Sequence, residues 1–254
     1  MVGAFAANPG GRAPLFNGVV ARITLRAVFG RRRAFIFAIP PLILILVTLL
    51  LKAARPQGAP WPGRILGDFG FTVILPLTAL IIGTSVLGAE IDDGSIVHLL
   101  ATPVRRSSVI VTKFAVGAVL TMAFVAVPEL IAGLIASGTF GKLAIGLFVG
   151  ALAGSVIYNA LFVMLSVLTT RAIAVGLLYV LIWEAVLGNF VSGARLLSVG
   201  QYSLGVANGI AHDSALHAGL TLTTAVIMGA IVTVATLVFA SRRLSEFSLK
   251  GDAV

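Results

Sequence analysis

GAEIDDGSIVHLLATPVRRSSVIVTK, residues 88–113, is the one long polar interruption of its kind in a very apolar chain. Apolar sequence flanks it on both sides, while the stretch carries Glu90, Asp92, Asp93, Arg105, Arg106 and Lys113. Read as a helix, it places Ile91, Ser95, His98 and Leu99 on one face, with Ile96 and Leu100 near its edge. Asp92 and Asp93 then fall in the first turn, where negative charge complements the helix dipole. Thr102-Pro103 ends the helix, because the residue before proline is pushed out of the helical region and proline donates no N–H. Arg105 and Arg106 mark the membrane surface where the next apolar run begins. The stretch predicts a short helix outside the bilayer, held between two spanning helices.

The rest of the composition agrees with a membrane setting. Of 254 residues, 59% are hydrophobic and 11% are charged, against about 25% charged in soluble domains; the mean hydropathy is +1.09. The spans need the whole length, so one transmembrane domain over 1–254 is expected, with no soluble catalytic module. The chain has no cysteine, which excludes disulfides, thiol catalysis and Cys-based metal sites. In a membrane chain the net charge of +9 reads as a topology signal and as affinity for anionic lipids, not for nucleic acid. Residues 1–14 are small and Pro/Gly-containing. The apolar run after Arg31–Arg33 lacks a small-residue cleavage site, so it reads as an anchored span.

Residues 15–33 put Phe16, Val19, Val20, Ile23 and Ala27 at helical spacing, with Arg22, Arg26 and Arg33 on other sides. They read either as a basic amphipathic helix on the inner membrane surface or as a plain positive anchor. Six spans follow, at 34–51, 69–89, 109–137, 143–170, 172–190 and 218–240. Residues 52–68 form a Pro/Gly-rich loop with Trp61 at the interface, and Pro40, Pro41, Pro76 and Pro128 bend their helices. Gly146, Gly150 and Gly154 recur at four-residue intervals, a stripe that lets another helix approach closely. Residues 191–217 are too broken by glycine to span. Thirteen basic residues fall on the side of both termini and of 90–106, against Lys52, Arg55, Arg64, Lys142 and Arg195 on the other. That asymmetry predicts cytoplasmic termini.

With those residues in view, the chain resembles the permeases of type-two ABC exporters. The resemblance is carried by Glu90, Gly94, Ser95, Leu99, Leu100, Thr102, Pro103, Val104, Arg105 and Lys113, with Gly-Ser in place of the usual Gly-Thr. It implies an all-α integral membrane protein of six transmembrane helices, with an amino-terminal amphipathic interface helix and short re-entrant helices between spans five and six. It also makes 90–102 a cytoplasmic coupling helix that docks on a separate ABC ATPase subunit. Glu90, Asp92, Asp93, Gly94, His98, Thr102, Pro103, Arg105 and Arg106 are then the ATPase-coupling residues, and Arg22 and Arg26 belong to the interface helix. The implied assembly pairs this permease with a second copy or a homologue in a bacterial plasma membrane. ATP and Mg would sit on the partner ATPase, with no cofactor in this chain, and the cargo would be lipid-like, amphipathic or drug-like.

The chemistry of other classes is missing. No G-x-x-x-x-G-K-[ST] occurs, so the chain has no phosphate-cradling loop for ATP. Leu197–Gln201 (LSVGQ) looks like an ABC ATPase signature with one change, but it lies in the predicted outer segment with no Walker motif beside it. His98, His212 and His217 lack zinc spacing. Glu129 and Glu184 are the acids inside predicted spans, where such groups are costly unless paired or wet. They read either as polar points on a pathway or as side chains about 9–12 Å below the outer surface that reach the interface. A proton-coupled secondary transporter using both is the alternative to the exporter; it would call for inverted repeats, which are not evident. A membrane scaffold or sensor that moves nothing is the third reading.

Overall fold

The computed structural model of the protein describes residues 16–29, 33–54, 61–92, 106–187 and 193–247, all helix or short connection. Asn17 starts the first helix, α1 (Gly18–Phe29): its Oδ1 accepts the N–H groups of Val19 and Val20 at 3.0 and 3.4 Å, satisfying donors that have no partner within the helix. Val20, Ala21, Thr24 and Val28 form its buried stripe, while Phe16, Val19, Arg22, Ile23 and Arg26 face outward. Of the apolar residues at helical spacing, Phe16, Val19 and Ile23 are exposed, while Val20 is buried against the bundle. The exposed ones leave α1 with an outward surface that is both apolar and basic.

α2 (Arg33–Ala54) buries Pro40 and Pro41 and turns Ile36, Ile39, Leu42, Leu46 and Leu50 outward. α3 spans 61–92 and α4 spans 106–137, and both change helical register partway. In α3 a π-helical stretch, Leu66–Ile74, precedes Pro76, and the N–H of Leu75 reaches back five residues to Gly70 O. In α4 the π turn Met122–Ala126 precedes Pro128, and Val127 N–H reaches Met122 O. Proline removes one backbone bond and crowds the carbonyl four residues earlier, and a widened turn just upstream accommodates both effects. Gly138, at φ +71°, closes α4 with its N–H on Leu134 O at 2.9 Å, a left-handed position that suits glycine.

α5 (Lys142–Leu168) is the central helix; it packs against α3, α4 and three further helices of the chain. These are α6 (172–187, π-helical from Tyr179), α7 (Val199–Ala211, entered through a 3-10 turn at Ala194–Leu197) and α8 (Leu222–Phe247). A helix apolar all round belongs in the interior, and α5 is one. Its glycines set how near α7 comes. A Cβ at Gly146 would lie 2.6 Å from Ala207 O, one at Gly150 2.6 Å from Ser203 O, and one at Gly154 2.2 Å from Ser203 Oγ. The core forms two groups. Phe71, Leu75, Leu147, Tyr158, Phe162 and Tyr202 centre the larger one. Val28, Phe37, Val86, Ile110, Val167 and Leu244 form the other, at the end where α3 leaves and α4 enters; we call this end the base.

Among the described residues, five helices are long and apolar enough to cross a membrane: Ile36–Ala54, Trp61–Leu87, Ser107–Ser137, Lys142–Leu168 and Leu222–Leu244. The sequence reading gave six. The remaining one, expected at 172–190, is helical throughout its described part, 172–187, and residues 188–190 lie outside the described residues. Other boundaries shift as well. Residues 61–68 were assigned to a loop but are helical, since proline at 62 sits in a first turn that needs no donor there. Glu90 to Asp92 continue α3 without a break, and the rest of the expected coupling helix, residues 93–102, lies outside the described residues. The last span starts at Leu222 instead of 218 and runs through Arg242 and Arg243 to Phe247.

The glycine contact gives a direct check. Gly150→Leu drives a side chain into backbone and should remove about 1–3 kcal/mol or more, read as a lower Tm of the purified chain in detergent. Gly193→Ala, where nothing lies within 4 Å of the added carbon, should leave Tm unchanged. Equal Tm values for the two variants would contradict this packing.

Candidate functional site

At the base, α1, α3 and α4 are joined by polar contacts. The backbone N–H of Asn17 donates to Thr112 Oγ1 at 3.0 Å, and the same hydroxyl donates to Ser108 O at 2.6 Å. The buried Lys113 Nζ donates to Val86 O at 2.7 Å, placing a cation on a carbonyl in the closing turns of α3, where the helix dipole favours positive charge. α3 and α4 are thereby fastened to each other just inside the segment that connects them. Of the expected coupling residues, Asp93, Gly94, His98, Thr102, Pro103 and Arg105 lie outside the described residues. Glu90 and Asp92 are in the last turns of α3, and Arg106 begins α4. Arg22 and Arg26 are exposed on α1.

About two turns along α4 from Lys113, a lone amide joins α4 to α5. Asn159 of α5 donates its Nδ2 to Thr121 Oγ1 of α4 and to Ser155 O, both at 2.8 Å. Its Oδ1 has no hydrogen-bond partner among the described residues and lies in a notch between glycines: a Cβ at Gly117 would be 2.7 Å from it, and one at Gly83 3.3 Å. Counting only charged residues within spans passes over this position. A single Asn in an otherwise apolar run was the signal available.

Glu129 and Glu184 are both buried and have opposite surroundings. Glu129 follows the π turn of α4, and among the described residues neither of its oxygens has a hydrogen-bond partner. It fills the space that the missing side chain of Gly70 leaves on α3, where a Cβ would fall 1.9 Å from Oε1. Glu184, on the π-helical part of α6, has donors on both oxygens. Oε1 accepts Tyr179 Oη and Val199 N–H, each at 2.9 Å. Oε2 accepts Ser198 Oγ at 2.6 Å and Gly200 N–H at 3.2 Å. Ser198 is also the N-cap of α7, its Oγ accepting Gln201 N–H at 3.2 Å. Glu184 thus supplies the negative end for α7, neutralising the exposed donors and the positive dipole of a helix that starts inside the protein. The LSVGQ stretch is this capped helix start.

At the end opposite the base, α3, the turn before α7 and the loop to α8 enclose a pocket of about 510 Å³, with Asp68, Gln201 and His217 on its walls. Among the described residues no group of three His, Cys, Asp or Glu side chains lies together as a metal site would require.

Residues 31–185 match the family model of the ABC-2 family transporter proteins. The match takes in α2 to α5, nearly all of α6 and the polar segment, while α1, α7 and α8 fall outside it. No curated protein matches the chain.

The two acids should respond oppositely to the same change. Glu184→Gln exchanges an acceptor for an amide that faces N–H and O–H donors, losing about 1.5–3 kcal/mol for a charge-assisted bond. Glu129→Gln breaks no hydrogen bond and should leave stability at or above that of the parent. Thermal unfolding in detergent compares them; a Glu184→Gln variant as stable as Glu129→Gln would rule out the capping role.

Proposed function

The chain belongs to the ABC-2 transporter family as a membrane permease component, and on that premise we propose that it is the permease subunit of an ATP-driven exporter whose ATPase is a separate chain. The observation that carries this is the fastened base beneath the polar segment. A push on residues 90–106 reaches α3 and α4 together, because Lys113 and Val86 O hold the two helices to each other, and it reaches α1 through Asn17 and Thr112. Stiff coupling of this kind is what a lever needs. ATP-driven closure of the ATPase pair would move the segment, and the bundle would follow between inward- and outward-open arrangements.

In this scheme Glu90, Asp92, Asp93, Gly94, His98, Thr102, Pro103, Arg105 and Arg106 contact the ATPase or support the contact. The 90–102 stretch acts as the coupling helix, beginning within the last turn of α3. α1 lies along the inner membrane surface, with exposed Arg22 and Arg26 facing anionic headgroups and Val19 and Ile23 in the acyl boundary. Residues 172–190 complete a sixth span, which puts both termini on the cytoplasmic side as the basic residues direct. A second permease copy or a homologue covers part of the outward apolar surface of α2, α6 and α8. That surface, and a bundle interior with few charges, favour a lipid-like, amphipathic or drug-like cargo. Of the two buried acids, Glu129 is kept as a pathway group; Glu184 serves α7.

Charge reversal at Asp92 and Asp93 together tests the lever. ATPase turnover of the co-purified complex should fall at least about tenfold, while the Tm of the permease itself stays put. Turnover and subunit recovery equal to the parent would remove the segment from the coupling role.

A further inference from the structure

The pocket opposite the base has no part in the lever, yet its walls carry opposite charges on an apolar floor. Asp68 is exposed on the π-helical stretch of α3, with His217 and Arg64 within electrostatic reach. Arg195 faces the pocket from the 3-10 turn, and Phe69 and Val73 supply the apolar side. Gln201 decides the polarity of the remaining wall. It is 6% exposed, and its Oε1 accepts the N–H of Gly219 at 3.0 Å. That bond engages Oε1, and since Gln201 lines the pocket, its Nε2 is the amide's remaining polar group at this wall. Gly219 allows this close approach: a Cβ there would lie 3.0 Å from Gln201 Oε1 and 2.8 Å from Arg195 Cδ, and both side chains would have to shift.

We propose that this pocket binds a zwitterionic headgroup, with its ammonium against Asp68 and its phosphate or carboxylate against Gln201, His217 and Arg195. A purely anionic group would meet the Asp68 carboxylate. A purely apolar one would strip water from Asp68 and from the Gln201 amide without replacing their hydrogen bonds, which is unfavourable. The volume of about 510 Å³ is in the usual range for small-molecule sites, and Phe69 and Val73 give an attached acyl chain a surface to leave along. The inference deepens the exporter scheme by naming a class of cargo or regulatory lipid, and it rests on that scheme only for its meaning in transport.

The test uses the permease–ATPase complex in a neutral maltoside detergent, with lauroyl-lysophosphatidylethanolamine as the probe and binding followed by microscale thermophoresis. Lauroyl-lysophosphatidylglycerol serves as the anionic comparator and phosphoethanolamine as the chain-free one. The zwitterionic lysolipid should bind at least about tenfold more tightly than the anionic one. Asp68→Asn and Gln201→Glu should each erase about tenfold of its affinity. The second variant keeps the acceptor for Gly219 N–H but replaces the amide donors with a carboxylate that repels the phosphate. Lys142→Gln, exposed on the same end but outside the pocket, should change nothing. Phosphoethanolamine binding as tightly as the lysolipid would support the site and assign it to a soluble zwitterion; a requirement for the acyl chain would support it and assign it to lipid. Equal affinity for the two lysolipids, or affinity unchanged in both pocket variants, overturns the proposal and leaves the exporter scheme standing. A parent permease that recovers no ATPase overturns that scheme instead, and the same binding series on the permease alone still decides the pocket.

Discussion

A helix that begins inside a protein must find acceptors for its first N–H groups, and in a bilayer water does not supply them. α7 meets that requirement by borrowing the carboxylate of Glu184 from α6, and the arrangement of the far end follows from the loan. With its start fixed by Val199 and Gly200 on the acid, α7 lies against the glycine stripe of α5, where backbone oxygens stand at distances that no larger residue tolerates. The same start sets Gln201 three residues after the Ser198 cap, and Gln201 in turn receives the N–H of Gly219 from the loop that leads to α8. One charged group on α6 therefore positions three stretches that are distant in sequence. The widened π-helical turn beneath Glu184 belongs to this arrangement, since it alters the angle at which residues 179–187 present their side chains.

The base is organised on a different principle. There two hydrogen bonds run between elements, Asn17 with Thr112 and Lys113 with Val86, while the hydroxyls of Thr24, Thr84 and Ser85 bond within their own helices. Between the two ends the bundle relies on close packing and on Asn159, whose amide holds α4 to α5 while glycines of α3 and α4 make room for its oxygen. Such contacts act over one or two turns and do not stiffen a whole helix. A bundle tied at the base and at the far end, with proline-linked π turns in α3 and α4 between the ties, concentrates its capacity to bend at those turns. In the proposed scheme, motion imposed at the segment 90–106 would emerge as a change of angle above the turns, not as a shift of the entire helix.

What sequence could and could not reveal follows from the range of the interactions. The span at 143–170 was legible almost to the residue, because glycine and threonine at its ends and unbroken apolar sequence between them are local signals, and the helix is Lys142–Leu168. The start of the second helix was not, because Pro62 and Gly63 read as loop residues until it is known that Trp61 packs into the interior. The spacing of Gly146, Gly150 and Gly154 shows that something comes near without naming it. Its neighbour is a helix in the stretch that was judged too broken to span, and only tertiary structure joins them. Glu184 is the clearest case. An acid in an apolar run invites a reading as a transport group, and nothing nearby in sequence indicates that the start of another helix lies against it. The missed Asn159 and Gly70 have the same cause, since each matters through a residue on a different helix.

Glu129 carries the argument one step further. Its carboxyl group is enclosed without a hydrogen bond where α4 meets Gly70 of α3, and burial without a partner is unfavourable for any polar group. Packing around it must offset that penalty in the arrangement described. An arrangement that separated α3 from α4 at this level and admitted water would lose the packing but recover the hydration of the acid. The free-energy gap between the two is therefore smaller than it would be with an apolar residue at 129. The acid lies just beyond the π turn of α4 and against the π-helical stretch of α3, the places where these helices bend most readily. A permease that alternates between two arrangements needs them close in free energy, and an unpartnered acid at the bend narrows the difference without weakening the ties at either end.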